Sequence, residues 1–203
     1  MRQLLRLKDN FASHKVPVNR KETESRPPCQ RELTLNFEGR FMEKYLDNAI
    51  EAAVNEAKTG LEEGGIPIGA VVLKGRKIIG RGHNRRLQNS DLTAHGEIDC
   101  FRNTGAKLFE PEGTTLITTL SPCRMCAGAT QLAGIERVII LDQENYDDGQ
   151  AEALERAGIK VEVRSHPEMI RIFKEWKEAP QNKDAWYGDG NTNKVLGVRG
   201  RQR

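Results

Sequence analysis

At 203 residues, with 37% hydrophobic and 30% charged side chains, the chain has room for one domain with a sizeable core and hardly for two. No uninterrupted apolar run approaches the roughly 20 residues that span a bilayer, which argues against a membrane protein. Four cysteines, at positions 29, 100, 123 and 126, are too few for a secreted disulfide scaffold, so a reducing, cytoplasmic setting is expected. The net charge of +3 sits at the ends: residues 1–41 carry 9 basic and 5 acidic side chains, residues 42–189 carry 19 and 24, and residues 190–203 carry 4 and none. An acidic middle is a poor match for a long polyanion and points to a small neutral substrate, with Arg81, Arg85 and Arg86 read as a solvated loop.

Residues 1–41 show no sustained period and contain Pro17, Pro27 and Pro28, so they read as a poorly ordered extension, with Met42 as an alternative start. From there Leu46, Ile50, Ala53, Val54, Ala57 and Leu61 recur at helical spacing until Gly64-Gly65 stops the helix. IPIGAVVLK and KIIGRGHN are β-rich runs joined through Lys74-Gly75-Arg76, the pattern of a hairpin. A helix is expected from about Ala94 to Asn103, then the strand TTLITTL. Ser121 as N-cap and Pro122 as first helical residue predict a helix ending near Gly134. Strand RVIIL, helix AEALERAG, strand KVEV and a helix from Pro167 to about Ala179 follow. Alternating strands and helices of this kind predict a three-layer α/β/α sandwich with a single mixed sheet, hairpin first.

Cys123 and Cys126 are three apart at a helix start, so both sulfurs share one face where free N–H groups favour the thiolate. That environment suits a redox pair, half of a structural zinc site, or two ligands of a catalytic metal. TAHGEIDC, Thr93 to Cys100, shifts the balance. His95 offers zinc a third ligand, and three protein ligands leave a fourth tetrahedral position, the arrangement of a catalytic site. Glu97, two residues on, supplies a group to move a proton between water and substrate. Cys100 as a fourth ligand would instead close the site and leave Glu97 without a task.

The pairing of H-x-E with P-C-x-x-C is the pattern of zinc-dependent base deaminases. Together with EGGIPIGAV, GRGHN, LITTLSPCRMCAGA and a closing WYGD, from about Met42 to Asp189, the sequence resembles the cytidine deaminase superfamily, and within it the fungal-type cytosine deaminases. The resemblance implies a cytidine-deaminase-like fold over residues 42–189, with residues 190–203 as a basic tail. It implies one zinc per chain on His95, Cys123 and Cys126, with Glu97 as proton shuttle. It further implies that Asn84 and the Gly96 N–H meet the ring carbonyl edge and that Asp189 and the Ser121 carbonyl accept from the exocyclic amine. Ile68, Tyr146 and Trp186 would wall the pocket, Trp186 and Asp189 riding on a C-terminal lid. The implied reaction is hydrolysis of free cytosine to uracil and ammonia in pyrimidine salvage, by a homodimer. Position 146 is tyrosine where that family would carry phenylalanine, and APQNKDAW is a few residues longer than its pattern. The alternatives are a tRNA adenosine deaminase, a guanine deaminase, and a non-catalytic zinc-stabilised RNA-binding module.

Overall fold

The computed structural model describes residues 28–182 and 185–186, with side chains from residue 43 on. The chain divides into residues 1–41 and 42–203. Its described helices are α1 (Pro28–Glu62), α2 (Arg86–Asn89), α3 (Gly96–Thr104), α4 (Arg124–Leu132), α5 (Gln150–Arg156) and α6 (Pro167–Glu178). The strands are β1 (Gly69–Lys74), β2 (Lys77–His83), β3 (Thr114–Thr118), β4 (Arg137–Ile140) and β5 (Lys160–Val163). Among the described residues no helix is long and apolar enough to cross a membrane.

The five strands form one sheet in the order β2-β1-β3-β4-β5. The hairpin β1–β2 and the pair β1–β3 are antiparallel, while β3–β4 and β4–β5 are parallel. Parallel neighbours need crossover connections, which α4 and α5 supply. Alternation along each strand then divides the core into two layers. Val71, Leu73, Ile117 and Ile139 face Leu46, Ala49, Ala53 and Ala57 of α1, with Met169 of α6. Ala70, Val72, Leu116, Val138 and Ile140 face the other way, onto Cys100 of α3, Ala127 of α4 and Leu154 of α5. The result is the expected mixed sheet between helical layers.

Several boundaries differ from expectation. Helix α1 begins at Pro28 rather than near Met42; proline fits the first turn of a helix, where its missing N–H has no partner to lose. Its end is as expected: Gly64 takes φ 81°, and the Gly65 N–H returns to the Gly60 carbonyl at 2.8 Å. Helix α4 is capped by Cys123, not Ser121, because residues up to Cys123 stay extended (φ −78°, ψ 173° at Cys123). The arginines after β2 are not a uniformly solvated loop. Arg86 is only 8% exposed, and its N–H satisfies the Asn84 side chain at the start of the short helix α2.

Glycines let α1 and α3 lie directly on the hairpin. A Cβ on Gly69 would stand 2.2 Å from the Ala53 carbonyl oxygen of α1, and one on Gly82 would stand 2.3 Å from the Cys100 nitrogen of α3. Backbone cannot swing away from such a contact. Gly82→Ala is therefore expected to cost at least about 1–3 kcal/mol of stability, read as a lower urea midpoint, and to cut zinc content, since α3 carries His95.

Candidate active site

Two helix starts meet at one end of the sheet. His95 is the N-cap of α3 and Cys123 the N-cap of α4, both extended, with Cys126 one turn into α4. His95 Nδ1 lies 3.5 Å from Cys123 Sγ and 3.6 Å from Cys126 Sγ. These three make the one His/Cys/Asp/Glu group found among the described residues whose ligand atoms all fall within 4.8 Å. Tetrahedral zinc, with Zn–N near 2.05 Å and Zn–S near 2.3 Å, separates its nitrogen and sulfur ligands by about 3.6 Å. The donor set therefore fits zinc by both chemistry and spacing.

Cys100 stays outside the group. It packs in the core between α3 and the sheet, and burial pushes its thiol up to about 12. Three ligands leave one coordination position open.

Glu97 stands beside the ligands, 3% exposed in the first turn of α3. Its Oε1 accepts from Thr118 Oγ1 at 3.3 Å, and its Oε2 lies 3.4 Å from Cys126 Sγ. Burial, then the neighbouring Cys123 charge, lifts its pKa above the usual carboxylate value. Cys123 is drawn down to about 6, first by the hydrogen bond from Cys126 and then, against burial, by His95. Cys126, donating that bond in a buried position, is raised. Burial disfavours a charged His95, yet the Cys123 sulfur and the Glu97 carboxylate hold its pKa above normal. Two sulfurs, an imidazole and a carboxylate thus compete for few protons in a dry space, a conflict that a divalent cation resolves.

Ile68, Asn84, Ser121, Tyr146 and Trp186 line one recess with His95, Glu97, Leu120 and Cys123, of about 300 Å³ including its mouth. Two larger recesses, of about 990 and 920 Å³, lie between α4, α5 and β5, wide open and away from any ligand group. Gly96 sits at the back of the small recess: a Cβ there would be 2.9 Å from the Ile68 carbonyl oxygen and 3.4 Å from the Asn84 nitrogen. Asn84 is 1% exposed, its N–H donates to the Ile68 carbonyl at 2.8 Å, and its Oδ1 accepts the Arg86 N–H at 3.1 Å. The amide is thereby oriented, its NH₂ being the group left to donate. The Ser121 hydroxyl is buried without a partner.

Tyr146 reaches the recess on a loop pinned by Asp142, whose carboxylate accepts the N–H groups of Glu144 and Asn145 at 2.9 and 3.0 Å. Trp186 stands edge-on to Tyr146 (centroids 5.7 Å apart, 88°) and to Phe173 of α6 (4.9 Å, 85°). Asp189 lies outside the described residues. Sequence reasoning missed Leu120, which directly precedes the Ser-Pro-Cys run, and Phe173, an apolar position of α6 with nothing but its periodicity to mark it.

Residues 43–142 match the family model of the cytidine and deoxycytidylate deaminase zinc-binding region. A cytosine deaminase of Candida albicans is 35% identical over 138 residues, 66% of this chain and 90% of that protein. A tRNA-specific adenosine deaminase of Streptococcus pyogenes is 36% identical over 125 residues, 56% of this chain and 76% of that protein. Among solved structures, a guanine deaminase from Nitrosomonas europaea superposes with a TM-score of 0.56 at 20% identity, covering 64% of this chain and 84% of that one, a likeness of fold.

The purified protein is expected to hold one zinc per chain by elemental analysis, and Cys126→Ser to hold far less. Chelation should lower Tm, because a ligand bound to the folded state at 100 times its Kd adds about 2.7 kcal/mol; a Tm indifferent to chelator would contradict the site.

Proposed function

The chain belongs to the cytidine and deoxycytidylate deaminase zinc-binding family, and from that premise we propose that it converts free cytosine and water to uracil and ammonia. The observation that carries the choice of a free base is the aromatic roof. Trp186, braced by Tyr146 and Phe173, shares a narrow recess with the zinc ligands. A flat aromatic roof of this kind suits a lone planar base, whereas a polynucleotide would have to displace it. The likeness to the Candida albicans cytosine deaminase supports the same substrate.

Zinc, which His95, Cys123 and Cys126 would hold, would supply a Lewis acid that makes water more acidic at this point. Glu97, steadied by Thr118, takes the proton of the attacking water and delivers it to ring N3, then passes a second proton to the amine at C4. Oxygen adds at C4, the C4–N bond breaks, and ammonia leaves. Burial suits Glu97 to this work, because a carboxyl with a raised pKa holds a proton long enough to donate it. The Asn84 NH₂, free because its carbonyl oxygen is taken by Arg86, donates to the pyrimidine O2, with the Gly96 N–H beside it. Ser121 through its carbonyl, and Asp189, accept from the departing amine. Ile68, Tyr146 and Trp186 sandwich the ring and exclude bulk water.

In this reading residues 42–189 carry the activity, the chain works as a homodimer in the reducing cytoplasm, and residues 1–41 and 190–203 are dispensable for turnover. A second reading, deamination of adenosine in tRNA, is favoured by the equally strong likeness to the Streptococcus pyogenes enzyme, and it requires the Trp186 roof to open.

Ultraviolet-monitored conversion of cytosine by the zinc-loaded protein tests the proposal. Conversion should be abolished by chelator, and Glu97→Gln should retain zinc while kcat falls by at least about 10²–10⁴-fold. Substantial turnover by that variant would remove Glu97 from its role. Cytosine left untouched by folded, zinc-bound protein would reject the substrate, with an adenosine-bearing tRNA stem-loop and guanine tested next.

Trp186→Ala should raise KM for cytosine more than it lowers kcat, because the residue contributes contact area rather than proton transfer.

A further inference from the structure

His83 takes no part in the chemistry above, yet few side chains beside the recess are tied as heavily. It is the last residue of β2, next to Asn84, and only 3% exposed. It offers both ring nitrogens to carboxylates: Nδ1 to Glu56 Oε2 of α1 at 3.0 Å and Nε2 to Glu63 Oε2, just past the end of α1, at 3.1 Å. Its backbone N–H donates to Asp99 Oδ2 of α3 at 3.2 Å. The helix surface under the ring is shaped for it. Glu56 and Gly60 share one face of α1, and a Cβ on Gly60 would come within 3.2 Å of the imidazole Cδ2 and 3.3 Å of the Ile66 carbonyl oxygen.

The charged groups facing the ring are Glu56 from α1, Glu63 from the turn that follows it, Asp99 from α3, and Arg85 from the loop that follows β2. Arg85 bonds Glu63 at 3.0 Å and reaches Asp99 at 3.5 Å. An ionised carboxylate only accepts, so two carboxylate partners call for an N–H on each ring nitrogen. The hydrogen bond from His83 is the largest of the influences that hold Glu63 below the usual carboxylate range. Charge-assisted bonds of this kind are shorter and stronger than neutral ones.

We propose that His83 is a positioning residue for the deamination: its doubly protonated ring rivets the end of β2 to α1 and so fixes Asn84 relative to His95 and Glu97. The proposal rests on the reading of Asn84 as a substrate contact. The mechanical path is short. Asn84 N–H is held by Ile68, Arg85 N–H by Ala94 next to His95, and the His83 backbone by Asp99 on the helix that carries Glu97. A slipped rivet moves the amide that orients the ring, and small misplacements of this kind cost on the order of ten- to a hundredfold in kcat/KM.

The test is the split between KM and kcat for cytosine, on full-length zinc-loaded protein. His83→Gln should raise KM on the order of tenfold while kcat changes less. Glu56→Gln, which removes one of the two carboxylate partners, should move KM in the same direction. Gly60→Ala, a helix-favouring change that crowds the ring, should raise KM without loss of fold. Variants that lose stability and kcat together, with KM unchanged, overturn the positioning role. Long-range proton–nitrogen NMR of the imidazoles reads the ring directly: two protonated nitrogens on His83 at neutral pH support the rivet, and a single one overturns it. A wild-type protein inert toward cytosine sinks the substrate assignment, and the ring's protonation, read without substrate, still decides the rivet.

Discussion

The close approach of helix α3 to the β1–β2 hairpin is the constraint on which the rest of the site depends. Cβ atoms on Gly80, Gly82 and Gly96 would stand 1.7 Å from Thr104 Oγ1, 2.3 Å from the Cys100 nitrogen and 2.9 Å from the Ile68 carbonyl oxygen. Without them the helix settles onto backbone, and its first turn arrives where β1 begins and β2 ends. Register brings the end of β3 to the same place: Gly69 pairs with His83, and Ala70 with Thr118. The chain leaving β3 therefore delivers Cys123 and Cys126 beside His95. Open α/β sheets commonly build sites where strands deliver their carboxyl ends and helices their amino ends, and here glycine sets how near the two come.

Electrostatics explains why those two helix starts carry these residues. Free N–H groups and the positive dipole end favour anions, which suits thiolates at Cys123 and Cys126 and a carboxylate at Glu97. Burial opposes each of those charges. The opposition is visible in the pKa directions: Cys123 falls to about 6 while Cys126 and Glu97 rise, one charge being tolerated at the others' expense. A divalent cation held by the sulfurs would remove that conflict. Metal binding and acid–base competence are in that sense one property of the pocket.

How much of this could be read from the sequence divides along physical lines. Local spacing carries the sulfur pair, because Cys123 and Cys126, three apart at a helix start, share a face, and the pairing of H-x-E with P-C-x-x-C carries His95 and Glu97. Periodicity carries the strands, since Val71 against Val72 and Ile139 against Ile140 alternate as buried strands do. What spacing cannot carry is partnership across long separations. Nothing in the run KIIGRGHN shows that Glu56 and Glu63, 27 and 20 residues away, sit on the two nitrogens of His83. Arg86 reads as solvated charge until its 8% exposure is known. Helix α1 reaches back to Pro28 although its segment before Met42 shows no stripe; a helix can be extended without an apolar face, and then periodicity has nothing to detect. Asp189 lies outside the described residues, so the resemblance alone speaks for it.

Chemistry and specificity occupy different parts of this chain. The zinc ligands and Glu97 fall between positions 95 and 126, on two helix starts bolted to the sheet. The walls come from elsewhere: Ile68 from the entry to β1, Tyr146 from the loop after β4, Trp186 from beyond α6. Loops tolerate change that a glycine-packed helix does not. A family built this way can keep one reaction and exchange its substrate by altering residues outside the shared motif. That separation accounts for relatives of nearly equal identity being named for cytosine and for adenosine in tRNA. It also locates the decision for this chain. Overall similarity, dominated by the bolted helices, does not by itself separate these substrates. In the proposed reading, the tyrosine at 146 and the tryptophan packed edge-on against it set what ring lies flat beneath them.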